Sequence, residues 1–318
     1  MKIGITLPQV GEKATRNNII EFAKKADSME HSIDSLWVLD RLLWPLKPQT
    51  PYRGTIDGRL PSQAQNVFDP IDLLTFAASY TKRIGFGTCV VDMLFQYPVI
   101  LARRFATLDV LSEGRVICCG LGIGWSKDEY HACNLPFKHR GKRATEFVEA
   151  LKKIWTEEII QFKGEFYNIP ASKIGPKPVT RPYPPIYLGG WSSKSFPRII
   201  NSNASGWLAS LGGGVVSLEY LDDNIRIFNE EITAADKDRM NFRIYLLVYP
   251  QLNSKKYFKD GRRVPFTGTI DDIGGDIQKI KEMGVDQMIL SYFLSGGGDE
   301  DDIAETLNTT NELSRFAA

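Results

Sequence analysis

The stretch VICCGLGIGWSKDEY at residues 116–130 places Gly120, Gly122 and Gly124 at alternate positions behind an apolar run. Alternate residues of a strand share a face. Three such glycines leave one face of a strand end bare, while Leu121 and Ile123 pack on the other. Bare backbone lets a flat, rigid ligand approach closely, and a fused aromatic ring fits such a surface. A flexible, bulged loop would carry the same glycines, but the position between a strand and polar WSKDEY favours the first reading. A second stretch, PPIYLGGWSSKS at 184–195, ends a strand on Gly189 and Gly190 and runs into Trp191, Ser192, Ser193 and Ser195. Backbone N–H groups and hydroxyls at a helix start make an anion site suited to phosphate. Ordinary capping accounts for one serine but not for the cluster. A bare strand end beside an anion site points to a flat cofactor with a phosphate tail, a flavin or a relative.

Proton transfer needs a side chain near the substrate. Asp40, closing the run SLWVLD, is the first candidate, as base or cofactor anchor, against a capping or ion-paired aspartate. Glu129 is a second catalytic candidate; contact with the cofactor competes with an ion pair to Arg140 or Arg143. His139, beside Arg140, Lys142 and Arg143, reads as a solvated helix start. Cys89, Cys118, Cys119 and Cys133 form no CxxC pair, and Cys118–Cys119 reads as small buried thiols. His131, Cys133 and His139 fit no standard zinc spacing, so no metal is expected. The run DEDD at 299–302 reads as a helix N-terminus stabilised by its dipole.

These residues must be positioned by regular elements. Strand patterns fall at Lys2–Leu7, Ser35–Asp40, Arg83–Val91, Arg115–Leu121, Pro185–Gly189, Trp207–Ser210, Phe242–Val248 and Asp286–Ser291. Helical patterns lie between them. Ile19, Phe22, Ala23 and Ala26 build one apolar stripe, and Asp69-Pro70 opens the next helix as N-cap and first residue. Further helices are expected at Pro98–Leu111, Arg140–Trp155, Ser193–Asn203, Leu218–Ile232, Ile273–Met283 and Asp301–Leu313. Eight βα units predict closure into a (β/α)8 barrel, a TIM barrel, with its active face at the strand C-termini. An open doubly wound sheet is the alternative, but the dinucleotide fingerprint fails because Trp125 stands where a third glycine belongs. Two connections exceed what a barrel needs. Residues 41–67, rich in Pro and Gly, read as a lid whose Arg41, Trp44 and Tyr52 cover a substrate or pin the loop. Residues 156–184 contain QFKGEFYNI, which alternates like a hairpin.

The 318 residues therefore read as one barrel domain with two insertions. A net charge of +1 shows no basic excess for nucleic acid. The N-terminus MKIGITLPQ reads as a first strand rather than a leader, and no apolar run is long enough to span a bilayer. A cytoplasmic protein is expected.

WVLDRL, TKRIGFGTCVV, ATLDVLSEGRVICCGLGIGWSKDEY, HRGKRATEFVEALKKIW, FKGEFYNIP, PKPVTRPYPPIYLGG, SGW at 205–207 and GTIDDI…MGVDQMIL together resemble the luciferase-like flavin monooxygenase superfamily, and within it the oxidoreductases that use the deazaflavin F420. The resemblance covers nearly the whole chain. It implies a bacterial luciferase-like barrel, a homodimer, and a non-prolyl cis peptide at Cys89–Val90, with Thr88 before it, behind the cofactor ring. It also implies that Gly122, Gly124, Trp125 and Glu129 line the cofactor, and that Gly189, Gly190, Trp191 and Ser192 form its phosphate-side loop. Two departures stand out. Many deazaflavin dehydrogenases of the superfamily carry Asp-His where this chain has Asp40-Arg41, and sugar-phosphate dehydrogenases carry a glutamate where it has Trp125. The expectation is hydride transfer between F420 and a small organic substrate, or, with FMN as the alternative cofactor, an O2-using monooxygenase supplied by a separate flavin reductase.

Overall fold

Strand and helix alternate along the chain, and the strands pair in a closed ring. The computed structural model describes residues 1–55, 57–212, 216–292 and 303–318. The ring strands are β1 (Lys2–Thr6), β2 (Ser35–Val38), β3 (Gly85–Thr88), β4 (Val116–Gly122), β5 (Ile186–Gly189), β6 (Gly206–Ser210), β7 (Arg243–Val248) and β8 (Gln287–Leu290). Every neighbouring pair is parallel, and β1 lies between β2 and β8. Phe86 opposite Val116 and Gly87 opposite Cys118 close the ring, with a register shift between the two pairs. A two-residue strand, Val91–Asp92, then pairs with Leu121–Gly122. The architecture is the expected (β/α)8 barrel.

The helices are α1 (Arg16–Ser28), α2 (Pro70–Ala78), α3 (Pro98–Leu111), α4 (Lys127–Ala132), α5 (Arg140–Thr156), α6 (Phe196–Asn201), α7 (Leu218–Ala234), α8 (Ile270–Glu282) and α9 (Ile303–Ser314). Their starts follow from local chemistry. The Asp69 carboxylate accepts from the N–H groups of Ile71 and Asp72 ahead of a proline that needs no partner. Thr269 and Asp272 form a reciprocal capping box on α8. The stripe Ile19, Phe22, Ala23 and Ala26 is buried against the barrel. The six-residue α4 was not expected; one and a half turns are too short for an apolar period to register. DEDD at 299–302 lies outside the described residues. Among the described residues no helix is long and apolar enough to cross a membrane.

The barrel is plugged across its middle. Trp37 on β2 is wholly buried, its Nε1 donating to Ser35 Oγ at 2.8 Å. Gly4 on β1 and Gly87 on β3 make room for it: a Cβ at Gly87 would stand 2.5 Å from the indole, and one at Gly4 would strike Nε1. Burying roughly 200 Å2 of ring contributes about 5 kcal/mol. Cys89, Cys118, Tyr187, Leu208, Leu247 and Ile289 fill the rest of this inner cluster. Access to the interior is therefore from the strand C-termini, where the two long connections behave differently. Residues 41–55 and 57–67 lie over that mouth. Residues 156–184 form a hairpin (Ile160–Lys163 with Asn168–Ser172) on the outer wall, its turn bound by the Glu146 carboxylate of α5 through the N–H groups of Glu165, Phe166 and Tyr167.

Candidate functional site

The glycines at the end of β4 do not leave an open wall, which corrects the sequence reading. A Cβ at Gly120 would collide with the Thr88 carbonyl of β3. One at Gly122 would lie 2.5 Å from Val90 Cγ2 and 2.7 Å from Asp92 Oδ1. Gly124 has a φ of +67°, and a Cβ there would lie 2.9 Å from Phe95. The vacated face receives the segment 88–92, which leaves β3 through a cis peptide between Cys89 and Val90, the bond the resemblance singles out. Thr88 and Cys89 turn into the protein. The Thr88 hydroxyl donates to the Gly120 carbonyl at 2.8 Å, and burial pushes the Cys89 thiol up to about 12. Of the three, Val90 alone keeps exposed surface, and it also packs 3.2 Å from the Cβ position of Gly189 on β5. The glycines seat Val90; Val90 faces the mouth.

The same segment delivers an acid that the sequence reading missed. Asp92 is 8% exposed, its Oδ1 accepting the Gly124 N–H at 3.0 Å. Its own N–H donates to Asp40 Oδ2 at 3.1 Å, so the Asp40 carboxyl ties the end of β2 to the segment after β3, and the Asp92 carboxyl ties that segment to the end of β4. Burial pushes Asp40 up to about 6, the Asp92 N–H bond and the Arg41 and Arg104 charges opposing, Asp69 assisting. Burial and the Asp40 charge push Asp92 up to about 7. Two neighbouring carboxyls sharing one buried corner are poised to hold or release a proton near neutrality. A signal existed: Asp92 is a lone acid inside the apolar run TCVVDMLF.

Glu129, expected near the reacting groups or on Arg140 or Arg143, is instead a structural anchor. It is fully buried on α4 and forms an ion pair with Arg41, whose Nε donates at 2.6 Å; the Leu42 N–H donates to the same oxygen at 2.9 Å. Its carboxylate is thus engaged by Arg41 and Leu42, not by Arg140 or Arg143. Arg41 is likewise no free lid residue: its guanidinium lies 4.8 Å from the centre of the Trp125 ring. This clamp fixes the root of the 41–67 loop. The Gln49 N–H donates to Asp128 and the Lys127 N–H to Thr50, which fasten the loop further along. Trp44, expected to cover a substrate or pin the loop, does the latter, its Nε1 donating to the Leu60 carbonyl while the ring joins Val10, Ala64 and Val67. Tyr52 does reach the mouth. Its ring lies 5.3 Å from Trp125 and its hydroxyl bonds Tyr249, just past β7.

At the end of β5 the serines divide. Ser195 is buried, its hydroxyl donating to the Ser192 carbonyl at 2.7 Å in space a Cβ at Gly190 would need. Ser192 and Ser193 stay half-exposed, and Ser193–Ser195 is a single 3-10 turn ahead of the short α6 rather than the start of one long helix. The Trp207 Nε1 fixes the Gly190 carbonyl at 2.9 Å. Trp191 stays 40% exposed, its ring over Gly212. Val90, Trp125 and Trp191 thus offer apolar surface around the mouth beside two free-standing serines, a chemistry that suits a flat ring with an anionic tail. Among the described residues no three His, Cys, Asp or Glu side chains gather as metal ligands, and His131, Cys133 and His139 form no such group.

A model of the family described as luciferase-like monooxygenase matches residues 1–256. An F420-dependent glucose-6-phosphate dehydrogenase of Amycolatopsis mediterranei is 28% identical over 238 residues, covering 72% of this chain and 65% of that protein. An FMNH2-dependent dimethylsulfone monooxygenase of Pseudomonas putida is 36% identical over 132 residues, covering 41% of this chain and 36% of that one. Among solved structures, an F420-dependent secondary alcohol dehydrogenase in complex with an F420–acetone adduct superposes with a TM-score of 0.76 at 16% identity, covering 100% of this chain and 99% of the other.

Proposed function

The chain belongs to the luciferase-like monooxygenase family, and on that premise we propose that it is an F420-dependent oxidoreductase moving a hydride between the deazaflavin and a small organic substrate. The observation that carries this reading is the Asp40–Asp92 pair at the mouth, held near neutrality by burial. When bound, the deazaflavin supplies a carbon that accepts or releases hydride. The protein must then take or give the matching proton. Asp40 is the group for this: its Oδ2 holds the Asp92 N–H and its Oδ1 is the oxygen that exchanges a proton with a substrate hydroxyl or carbonyl. Burial keeps Asp40 basic enough to accept it. Val90, Trp125 and Trp191 hold the ring, Gly122 and Gly189 seat Val90 for it, and Ser192 meets the phosphate. Arg41 and Glu129 set the lid root, and Tyr52 closes the mouth against water. The reading includes a homodimer.

A specific observation favours a second reading. The 36% identity to an FMNH2-dependent monooxygenase falls on one 132-residue segment, which would suit an O2-using enzyme fed by a separate flavin reductase. Titrating the protein with F420 and with FMN, and following absorbance, separates the two. In the first reading F420 binds, alcohols or carbonyls turn over without O2, and Asp40→Asn lowers kcat about 100-fold or more with the F420 Kd unchanged. O2 consumption with reduced FMN, and no F420 binding, would replace it by the second.

A further inference from the structure

The lid folds back on Tyr52 and covers its hydroxyl. The Tyr52 N–H donates to the Gly58 carbonyl at 2.8 Å, and the chain between them doubles over the ring: a Cβ at the buried Gly54 would stand 2.6 Å from the hydroxyl oxygen. Gly54 in turn rests on Gly212, just past β6, where a Cβ would lie 3.2 Å from the Gly54 backbone and 2.7 Å from the Trp191 ring. With Trp125 against Tyr52 on the other side, three aromatic rings form one continuous roof, keyed by two glycines.

Under this roof the two phenols have different duties. Their shared bond opposes the upward push of burial on Tyr52 and adds to that push on Tyr249, so Tyr249 donates and Tyr52 accepts. A phenol has one proton to give and accepts as well. The Tyr249 proton is committed to Tyr52, whereas the Tyr52 proton has no acceptor among the described residues. A covered donor left without an acceptor is unfavourable, which a ligand oxygen at the mouth would relieve. The hydroxyl also shares its space with the acid pair, because the Arg41 guanidinium feels Asp92, Tyr52 and Asp40 together.

We propose that Tyr52 is a catalytic residue whose hydroxyl donates to the substrate oxygen that exchanges its proton with Asp40, and that Tyr249 is the positioning residue that aims it. The hydride chemistry rests on the oxidoreductase reading above; the contact with a ligand oxygen rests on Tyr52. In alcohol oxidation the O–H proton passes to Asp40, the C–H bond breaks with its electron pair leaving as hydride to the deazaflavin, and the C=O bond forms. Tyr52 keeps its proton throughout and steadies the oxygen as its charge changes.

The test is the affinity of primary amides, from isobutyramide to benzamide, which offer a carbonyl oxygen but take no hydride. They are titrated by calorimetry into wild type, Tyr52→Phe, Tyr249→Phe and the double variant, each saturated with F420. Phenylalanine keeps the ring on Trp125, so the fold and the F420 Kd should be those of the wild type. Tyr52→Phe should raise the amide Kd about 5- to 10-fold and Tyr249→Phe about 2- to 3-fold. The double variant should bind no more weakly than Tyr52→Phe, because Tyr249 acts through it. A simple latch between lid and barrel predicts equal losses in the two single variants, since both break the same bond; that result overturns the proposal. Wild type that binds no amide, equal Kd values throughout, or a Tyr52→Phe variant that loses F420 as well also overturns it. If F420 does not bind wild type, the titrations are run without it. A Tyr52-dependent amide Kd then sinks the cofactor reading and leaves the contact standing, and a Tyr52-independent one sinks both.

Discussion

Asp92→Asn isolates the energetics of the acid pair. In the fold Asp92 is pushed from 3.8 up to about 7 and Asp40 from 3.8 up to about 6, burial being the main cause of both. Each folded value lies above its unfolded one, so the folded protein keeps protons that the unfolded chain has released. The pair's contribution is then fully present below pH 3.8 and is lost as pH rises through about 6–7. At about 1.4 kcal/mol per pH unit, the Asp92 displacement corresponds to on the order of 4 kcal/mol at pH 8. Asparagine keeps an oxygen for the Gly124 N–H, cannot ionise, and leaves the Asp92→Asn backbone donor to Asp40 in place. It should therefore stabilise the protein at about pH 8 and do little at about pH 4. With about 2 cal/mol/K of unfolding entropy per residue, 318 residues convert that gain to a Tm rise of about 6 °C. Circular-dichroism melts of wild type and variant across this pH range give the answer. A variant whose Tm falls with pH as steeply as wild type, or that melts lower at pH 8, refutes the reasoning.

Glu129→Ala strands the buried Arg41 charge and should cost about 3–5 kcal/mol, read by chemical denaturation, with faster proteolysis within residues 41–67. Glu129→Gln keeps the acceptor for the Leu42 N–H and should cost less by the same assay. Gly120→Ala drives a methyl into the Thr88 carbonyl and should leave little soluble protein, whereas Gly141→Ala, in α5 with nothing within 4 Å, should stabilise by about 0.5–1 kcal/mol. If Asp40 is the base, alcohol oxidation should rise with pH through about 6 and the rise should vanish in Asp40→Asn; a flat wild-type profile removes Asp40 from that role.

Local chemistry made the frame legible. Alternating βα patterns placed all the ring strands, and Asp69-Pro70 placed a helix start, because each signal lies within a few residues of its effect. Partners far apart in the chain were not legible. Arg41 meets Glu129 across 88 positions, and nothing in the spacing of Glu129, Arg140 and Arg143 distinguishes the true partner from the false ones. The glycines showed the same limit: alternation reports a missing side chain, but only the crossing of β3 and β4 shows that Thr88, Val90 and Asp92 take the space. Asp92 escaped notice because a buried acid looks like a stray in an apolar run until its neighbours are known.

The seating of Val90 has a consequence for how such a mouth could be retuned. Two glycines from different strands, Gly122 and Gly189, press against opposite methyls of this one residue. Its size therefore sets the depth of the entrance as a single adjustable stop, while the ring of strands beneath stays intact. Trimming it to alanine would deepen the chamber without touching the acids or the clamp, making position 90 the natural first target for widening the range of molecules admitted.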